Sequence, residues 1–270
     1  MNLHVPDTLT AGNSEKYTVS IRLWPDGLSF AGWISSQKDS FFYCETVINR
    51  AKRYDYAIKD LFFVHPFFLY TYKQIVVICA NRQYTLIPES IFVEKQKEQL
   101  MSFVFSTPDE KALYEPFDEL DSVVLYSIQP EVYEFLSRSL LRPTFTHAIT
   151  LLLNQWRKQN FTGYSKQLFV ALNEDRMDVA CFDKGVLLFI NTFHVNDSVD
   201  MIYYILYVWK LTGLDQLQDE LFLYTNPRMF QTLKETLQTY LSHIEFIQPR
   251  WPDTGMEVPP DVTALFQCGL

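Results

Sequence analysis

The order of apolar and polar positions divides the chain into strands and helices. YTVSIRL (17–23) alternates as a half-buried strand does, and the turn WPDG (24–27) returns the chain into LSFAGWI (28–34). In that turn Pro25 presets its own φ, and Gly27 is expected to take a positive φ. SSQKDS forms the next turn, and FFYCETVI (41–48) a third strand. An aromatic-rich helix is expected from Tyr54 to Val64, stopping ahead of Pro66 because proline disfavours helical backbone in the residue before it. QIVVICA (74–80) is a continuous apolar run that suits a strand covered on both faces. TLIPESIF (85–92) is extended, and a helix is expected to begin near Pro88 or Glu89 and to run through KQKEQLMSFVF. SVVLYSI (122–128) reads as a buried strand, and Pro130 with Glu131 opens the helix PEVYEFLSRSL. RPTFT (142–146) forms a short strand, and the amphipathic HAITLLLNQWRKQ (147–159) leads to a stop signal at Gly163.

The second half begins the pattern again. QLFVALN (167–173), RMDVACF (176–182) and GVLLFINTF (185–193) form three strands joined by the tight turns NEDR and DKG. Asp197 and Ser198 cap DSVDMIYYILYVWKL, a strongly apolar helix ending near Gly213. ELFLYT (220–225) is a strand, Asn226 and Pro227 start the helix PRMFQTLKETLQTYL, and HIEFIQ (243–248) is a last strand. The proline-rich end PRWPDTGMEVPPDVTALFQCGL closes the chain. Each half thus has three consecutive strands, a helix, a strand, a helix and a further strand. Two joins also rhyme, VVLYSIQPEVYEFL and LFLYTNPRMFQTL. The repeat is one of architecture rather than of residues. It divides the chain into a lobe at 1–162, whose first sixteen polar residues are expected to be loosely ordered, and a lobe at 163–270 with the proline-rich tail.

That order of elements resembles the duplicated ribonuclease-H-like fold of the actin, sugar-kinase and Hsp70 superfamily. The fold class expected is therefore α/β, two lobes of mixed sheet with helices on the faces. The chain from Tyr17 onward resembles an uncharacterised bacterial family, a domain of unknown function with an actin-like ATPase fold found among Bacteroidetes. Active members of the superfamily hold ATP and a metal ion between the lobes. In those members the first hairpin of each lobe carries an Asp near the end of its first strand and a turn rich in Gly, Ser or Thr. The glycines let backbone N–H groups approach phosphate oxygens, and the carboxylate positions a hydrated metal.

The resemblance does not extend to those residues. The first hairpin reads Ser20-Ile21-Arg22-Leu23-Trp24, with no carboxylate at the strand end. Asp26 sits in the turn beside Pro25, which has no N–H to give, and a good turn explains Asp26-Gly27 without a ligand. In the second hairpin Ala171 falls where the Asp is expected, and Asn173, Glu174 and Asp175 fall where the glycines are expected. Two carboxylates there repel a phosphate, at on the order of 1–4 kcal/mol per close pair. Asp178 matches a carboxylate often found on the second strand. The chain has only eight glycines, no two adjacent, so neither a Gly-Gly pair for adenosine nor a Walker loop is present. Asp26, Asn173, Asp175 and Asp178 are the candidates for contacts to a ligand between the lobes.

Other chemistry is sparse. His194, Asp197 and Asp200 cluster before a helix, where a cap explains the acids more simply than a metal does. His65 stands in an aromatic run and reads as a packed histidine. No GxSxG elbow anchors a Ser/His/Asp triad. Cys44, Cys79, Cys181 and Cys268 are far apart, with no CxxC, and read as reduced thiols. Net charge is −9 with pI near 5.1, which argues against nucleic acid and anionic lipid as partners. The N-terminus has no signal-peptide pattern, and MIYYILYVWKL (201–211) is too short to span a bilayer.

The expectation is a cytoplasmic, non-catalytic protein with an actin-like fold and degenerate phosphate hairpins. It needs no cofactor and binds a protein partner, a second copy of itself or a small ligand. The apolar segment ALF (264–266) and the aromatic excess are candidate contact features. The alternative is a divergent ATP- and magnesium-dependent ATPase or phosphotransferase.

Overall fold

The computed structural model describes residues 3–49, 51–106, 110–160, 165–173, 175–247 and 257–268. The chain divides into two compact units, the first Met1–Thr150 and the second opening at Leu151 and including Glu257–Leu270.

In the first unit, β1 (Thr18–Trp24), β2 (Gly27–Ile34) and β3 (Gln37–Val47) run antiparallel. After α1 (Tyr54–Val64) the chain enters β4 (Gln74–Cys79), which lies parallel to β1 with Leu23 beside Cys79. β8 (Thr144–His147) adds parallel to β4 and completes the order β3-β2-β1-β4-β8. The core is aromatic: the Phe30 ring lies 5.1–5.5 Å from those of Phe42, Phe67 and Phe68.

In the second unit, β9 (Lys166–Asn173), β10 (Arg176–Asp183) and β11 (Val186–His194) form the same three-stranded meander. α5 (Ser198–Leu211), β12 (Glu220–Tyr224), α6 (Pro227–Leu237) and β13 (His243–Phe246) follow, and the sheet order is β11-β10-β9-β12-β13. The two sheets share one topology, as the resemblance implies. β12 is parallel to β9 as β4 is to β1. Two turn residues have the positive φ that the β10–β11 hairpin requires, Lys184 at 50° and Gly185 at 81°. The cap expected at Asp197 forms, accepting from the N–H groups of Val199 and Asp200, and Asn226, expected to start α6, caps it by accepting from the N–H of Met229.

The structure departs from the sequence reading at several places. Between β4 and α3 (Pro130–Ser139) the first unit carries an extra antiparallel sheet, β5-β7-β6, built from β5 (Tyr84–Pro88), β6 (Lys111–Phe117) and β7 (Ser122–Ile128). β6 was not expected, because Lys111, Glu115 and Pro116 break its apolar pattern. It is an edge strand, where a missing N–H is tolerated. The rhyme between the two strand-to-helix joins therefore matches α3 with α6 correctly but β7 with the wrong partner. The counterpart of β12 is β4. The helix expected from Pro88 begins only at α2 (Lys97–Phe105), after two 3-10 turns, because Pro88 belongs to β5. β3 starts at Gln37, inside the expected turn. Of the first sixteen residues, expected to be loose, those described (3–16) are anchored: Leu3 and Leu9 are buried, and the Asn13 side chain ties Thr8 to Thr10. Gly27 has no positive φ. A Cβ there would stand 2.2 Å from the Trp24 ring and 2.6 Å from the Thr46 carbonyl oxygen, so glycine is required by space.

α4 (Ala148–Asn160) has its stop signal, Gly163, outside the described residues. α7 (Pro260–Cys268) carries the ALF segment, whose Ala264 and Leu265 are fully buried and belong to the core. No helix of the described residues is long and apolar enough to cross a membrane.

Candidate functional site

The β1–β2 turn is closed by its own side chains. The Arg22 guanidinium lies 5.3 Å from the centre of the Trp24 ring, and that ring covers Gly27. The Asp26 carbonyl accepts from Ile48 N–H at 2.7 Å, and the Tyr54 hydroxyl donates to the Gly27 carbonyl at 3.0 Å. Asp26 therefore sits in a turn that is stapled on both sides.

The β9–β10 turn is also committed. Asn173 pairs with Arg176 across it, and Glu174 lies outside the described residues. Asp175 is exposed, its carboxylate lies 3.1 Å from His194 Nδ1, and its carbonyl accepts from Val195 N–H. Asp178 is buried, at 4% exposure, and is held inside the sheet. Its Oδ1 accepts from Arg176 Nε at 3.0 Å and from the Thr192 hydroxyl at 2.6 Å. Arg176 Nη2 is 2.9 Å from the same oxygen but off the line that a hydrogen bond needs, so both Nη atoms stay buried without a hydrogen bond. An acid neutralised at this range by a buried guanidinium is a structural ion pair. Asp26 belongs to the first unit and the other three candidates to the second.

The other acids close on themselves too. Asp200 accepts from the backbone and side-chain amides of Asn196, which hold its carboxyl below the usual range. Together with the Asp197 cap, this leaves His194, Asp197 and Asp200 as a helix start. Among the described residues no group of three or more His, Cys, Asp or Glu could hold a metal ion. His65 is packed at 5.3 Å from Phe67.

The first unit carries a cavity that the sequence did not disclose. It measures about 280 Å³ and opens where β1 and β4 end, beside the N-terminus of α3 and the first residue of α1. At these ends β1 turns back into β2 and β4 leaves its sheet for β5. Open α/β sheets hold ligands outside the carboxyl ends of their strands. Leu23, Trp24, Cys79, Ile128 and Val132 make its apolar wall, and Asn81, Arg82, Gln83, Glu110 and Gln129 its polar groups. Asn81 is fixed by donating to the Ser127 carbonyl at 2.7 Å and accepting from Gln83 N–H. Burial, then the like charge of Glu131, raises the Glu110 carboxyl above its usual value. Burial pushes the Cys79 thiol far up, which disfavours its thiolate. These residues, with Tyr54 at the start of α1, come from five separate segments, and the sequence showed the strand ends at Leu23, Cys79 and Ile128 and the helix start at Pro130 without showing that they converge.

Also in the first unit, Glu115 of β6 caps α4. Its carboxylate accepts from His147 N–H and the Thr146 hydroxyl, both at 2.9 Å, and from the Thr150 hydroxyl. The residue keeps some exposed area, but its carboxylate end is desolvated, and that burial raises its pKa against the pull of the three donors.

Comparison with known proteins agrees with this fold. The sequence pattern of the family described as "Protein of unknown function (DUF3822)" matches residues 6–244. A crystal structure from Bacteroides thetaiotaomicron, described as a protein with actin-like ATPase fold and unknown function, is similar with a TM-score of 0.82 at 28% identity. That match covers 96% of this chain and 99% of the other. The PilM-PilN type IV pilus biogenesis complex is similar at a TM-score of 0.56 and 8% identity, over 92% of this chain and 96% of that one, a likeness of fold alone. Comparison with curated proteins gives no match.

Proposed function

The chain belongs to the family of unknown function DUF3822 and has the actin-like ATPase fold, and we propose that it is a non-catalytic binding protein that has given up the phosphate chemistry of that fold. The observation that carries this reading is the Arg176–Asp178–Thr192 cluster. The one acid positioned like a metal-holding carboxylate is spent on the buried guanidinium beside it. The Trp24–Gly27 turn supports the same reading, since the Trp24 ring and the Thr46 carbonyl fill the space beside Gly27 that a close approach of a phosphate would need. The cavity at the β1 and β4 ends is the place for a small ligand. Its size suits about a dozen heavy atoms, mostly apolar with amide-like hydrogen-bonding groups. The protein acts in the cytoplasm, with its thiols reduced and without ATP or magnesium.

A thermal-shift series with adenine and guanine nucleotides plus Mg²⁺, run beside a library of small polar-apolar metabolites, tests this. The expected result is no rise in midpoint with any nucleotide and a concentration-dependent rise with a metabolite. That rise is expected to shrink in Arg82→Ala and Gln129→Ala. A Mg²⁺-dependent rise with ATP that Asp175→Ala removes would overturn the reading and restore the ATPase.

A further inference from the structure

α5 shows an apolar face to water. Val199, Tyr203, Tyr207 and Leu211 recur every fourth residue and are 70%, 61%, 49% and 57% exposed. The opposite face is already satisfied, with Met201, Ile205, Val208 and Trp209 in the core. A helix apolar on both faces is one that is covered on both. The duplicated fold supplies its own control. α1 holds the corresponding place in the first unit, and its exposed surface is laced with charge. Lys59 pairs with Asp55, Lys52 with Asp60, and the cations of Arg53 and Lys59 lie over Tyr56. The exposed Phe63 and Val64 of α1 sit at one end and make no stripe.

The charges that flank the α5 stripe say what covers it. Asp200 stands near the start of the helix and Lys210, exposed, near its end. Their midpoint is residue 205, which is also the midpoint of Val199–Leu211 and of Tyr203–Tyr207. We propose that this face docks on the same face of a second copy of the chain, with the two α5 helices antiparallel about a two-fold axis near residue 205. In that pairing each Tyr203 meets the other copy's Tyr207, each Val199 its Leu211, and each Lys210 its Asp200. A parallel pairing sets like charges together instead. The surface is thus complementary to itself, which is what an isologous interface requires. The amides of Asn196 keep Asp200 ionised and ready for that contact. The four apolar side chains expose on the order of 450 Å² per copy, so the pair covers on the order of 900 Å² before its rim is counted. That falls just short of the roughly 1,000 Å² that a specific interface clears, so the contact is a weak one that its rim has to complete.

Sedimentation velocity of the full chain from about 1 to 200 µM tests the proposal. The expected result is a concentration-dependent shift from monomer to dimer. Tyr203→Glu and Tyr207→Glu, both at exposed positions, are expected to weaken it at least about tenfold with unchanged circular dichroism. Lys210→Glu alone and Asp200→Lys alone are each expected to stay monomeric, because like charges then face each other twice. Mixed together they are expected to pair, because both contacts become opposite in sign. A monomer at every concentration overturns the proposal. So does a dimer indifferent to Tyr207→Glu, or a mixture of the two charge variants that fails to associate. None of these outcomes bears on the cavity of the first unit.

Discussion

Single residues carry much of the local structure of this protein. Asp178→Ala is expected to lose about 3–5 kcal/mol in urea denaturation, because it strands a buried guanidinium. Glu115→Ala is expected to lose about 1–3 kcal/mol, since three donors at the start of α4 lose their acceptor. Glu115 also makes stability depend on pH. Its carboxyl is raised above its ordinary value of 4.5 by burial, so the folded state keeps a proton that the unfolded chain has released. The contribution is full below that ordinary value and falls as pH rises through the folded one. Stability measured from pH 4.5 upward should fall less steeply in Glu115→Gln than in the parent. The buried thiols make a third test. Burial pushes Cys44 up to about 12 and Cys181 up to about 11, so neither is expected to be alkylated at pH 8 until the protein unfolds, as read by peptide mass spectrometry.

At the scale of elements, local signals proved legible where one residue decides one backbone group. The Asp197 and Asn226 caps, the Lys184-Gly185 hairpin and the stop of α1 before Pro66 follow from such signals. Asn226→Ala is expected to cost about 1 kcal/mol, in keeping with a lost cap. Gly27 shows the limit. Turn chemistry assigned it a left-handed φ, but its need is for room beside Trp24 and Thr46, and no nearby residue announces that. Gly27→Ala is expected to cost about 1–3 kcal/mol through overpacking. A substitution that relieved only backbone conformation would cost less. β6 was missed because its charges and Pro116 are permitted by an edge position that sequence order does not reveal.

Across the whole molecule, the two five-stranded sheets repeat one order, and the extra β5-β7-β6 sheet interrupts only the first. That sheet rests on a small core, Ile87, Met101, Ala112 and Leu125, whereas the second unit buries eighteen residues in one cluster, counted among the described residues. Local stability follows buried apolar contact. In hydrogen exchange, β5, β6 and α2 are therefore expected to lose protection well before β9 and β10. Equal protection throughout would contradict that order.

The sequence by itself determined the duplicated order of elements, the scarcity of glycine in the first hairpin of each half, and the caps. Each of these is a local pattern or the identity of a residue at a known turn. Only the tertiary structure decided that Arg176 holds Asp178, that Trp24 covers Gly27, and that a cavity gathers segments from Leu23 to Val132. It likewise decided that ALF is core while the α5 stripe faces water. Those outcomes depend on which strands lie beside each other and which helix faces are covered. Contacts of that kind join residues far apart in the chain, and the apolar pattern of a segment is the same whichever neighbour covers it.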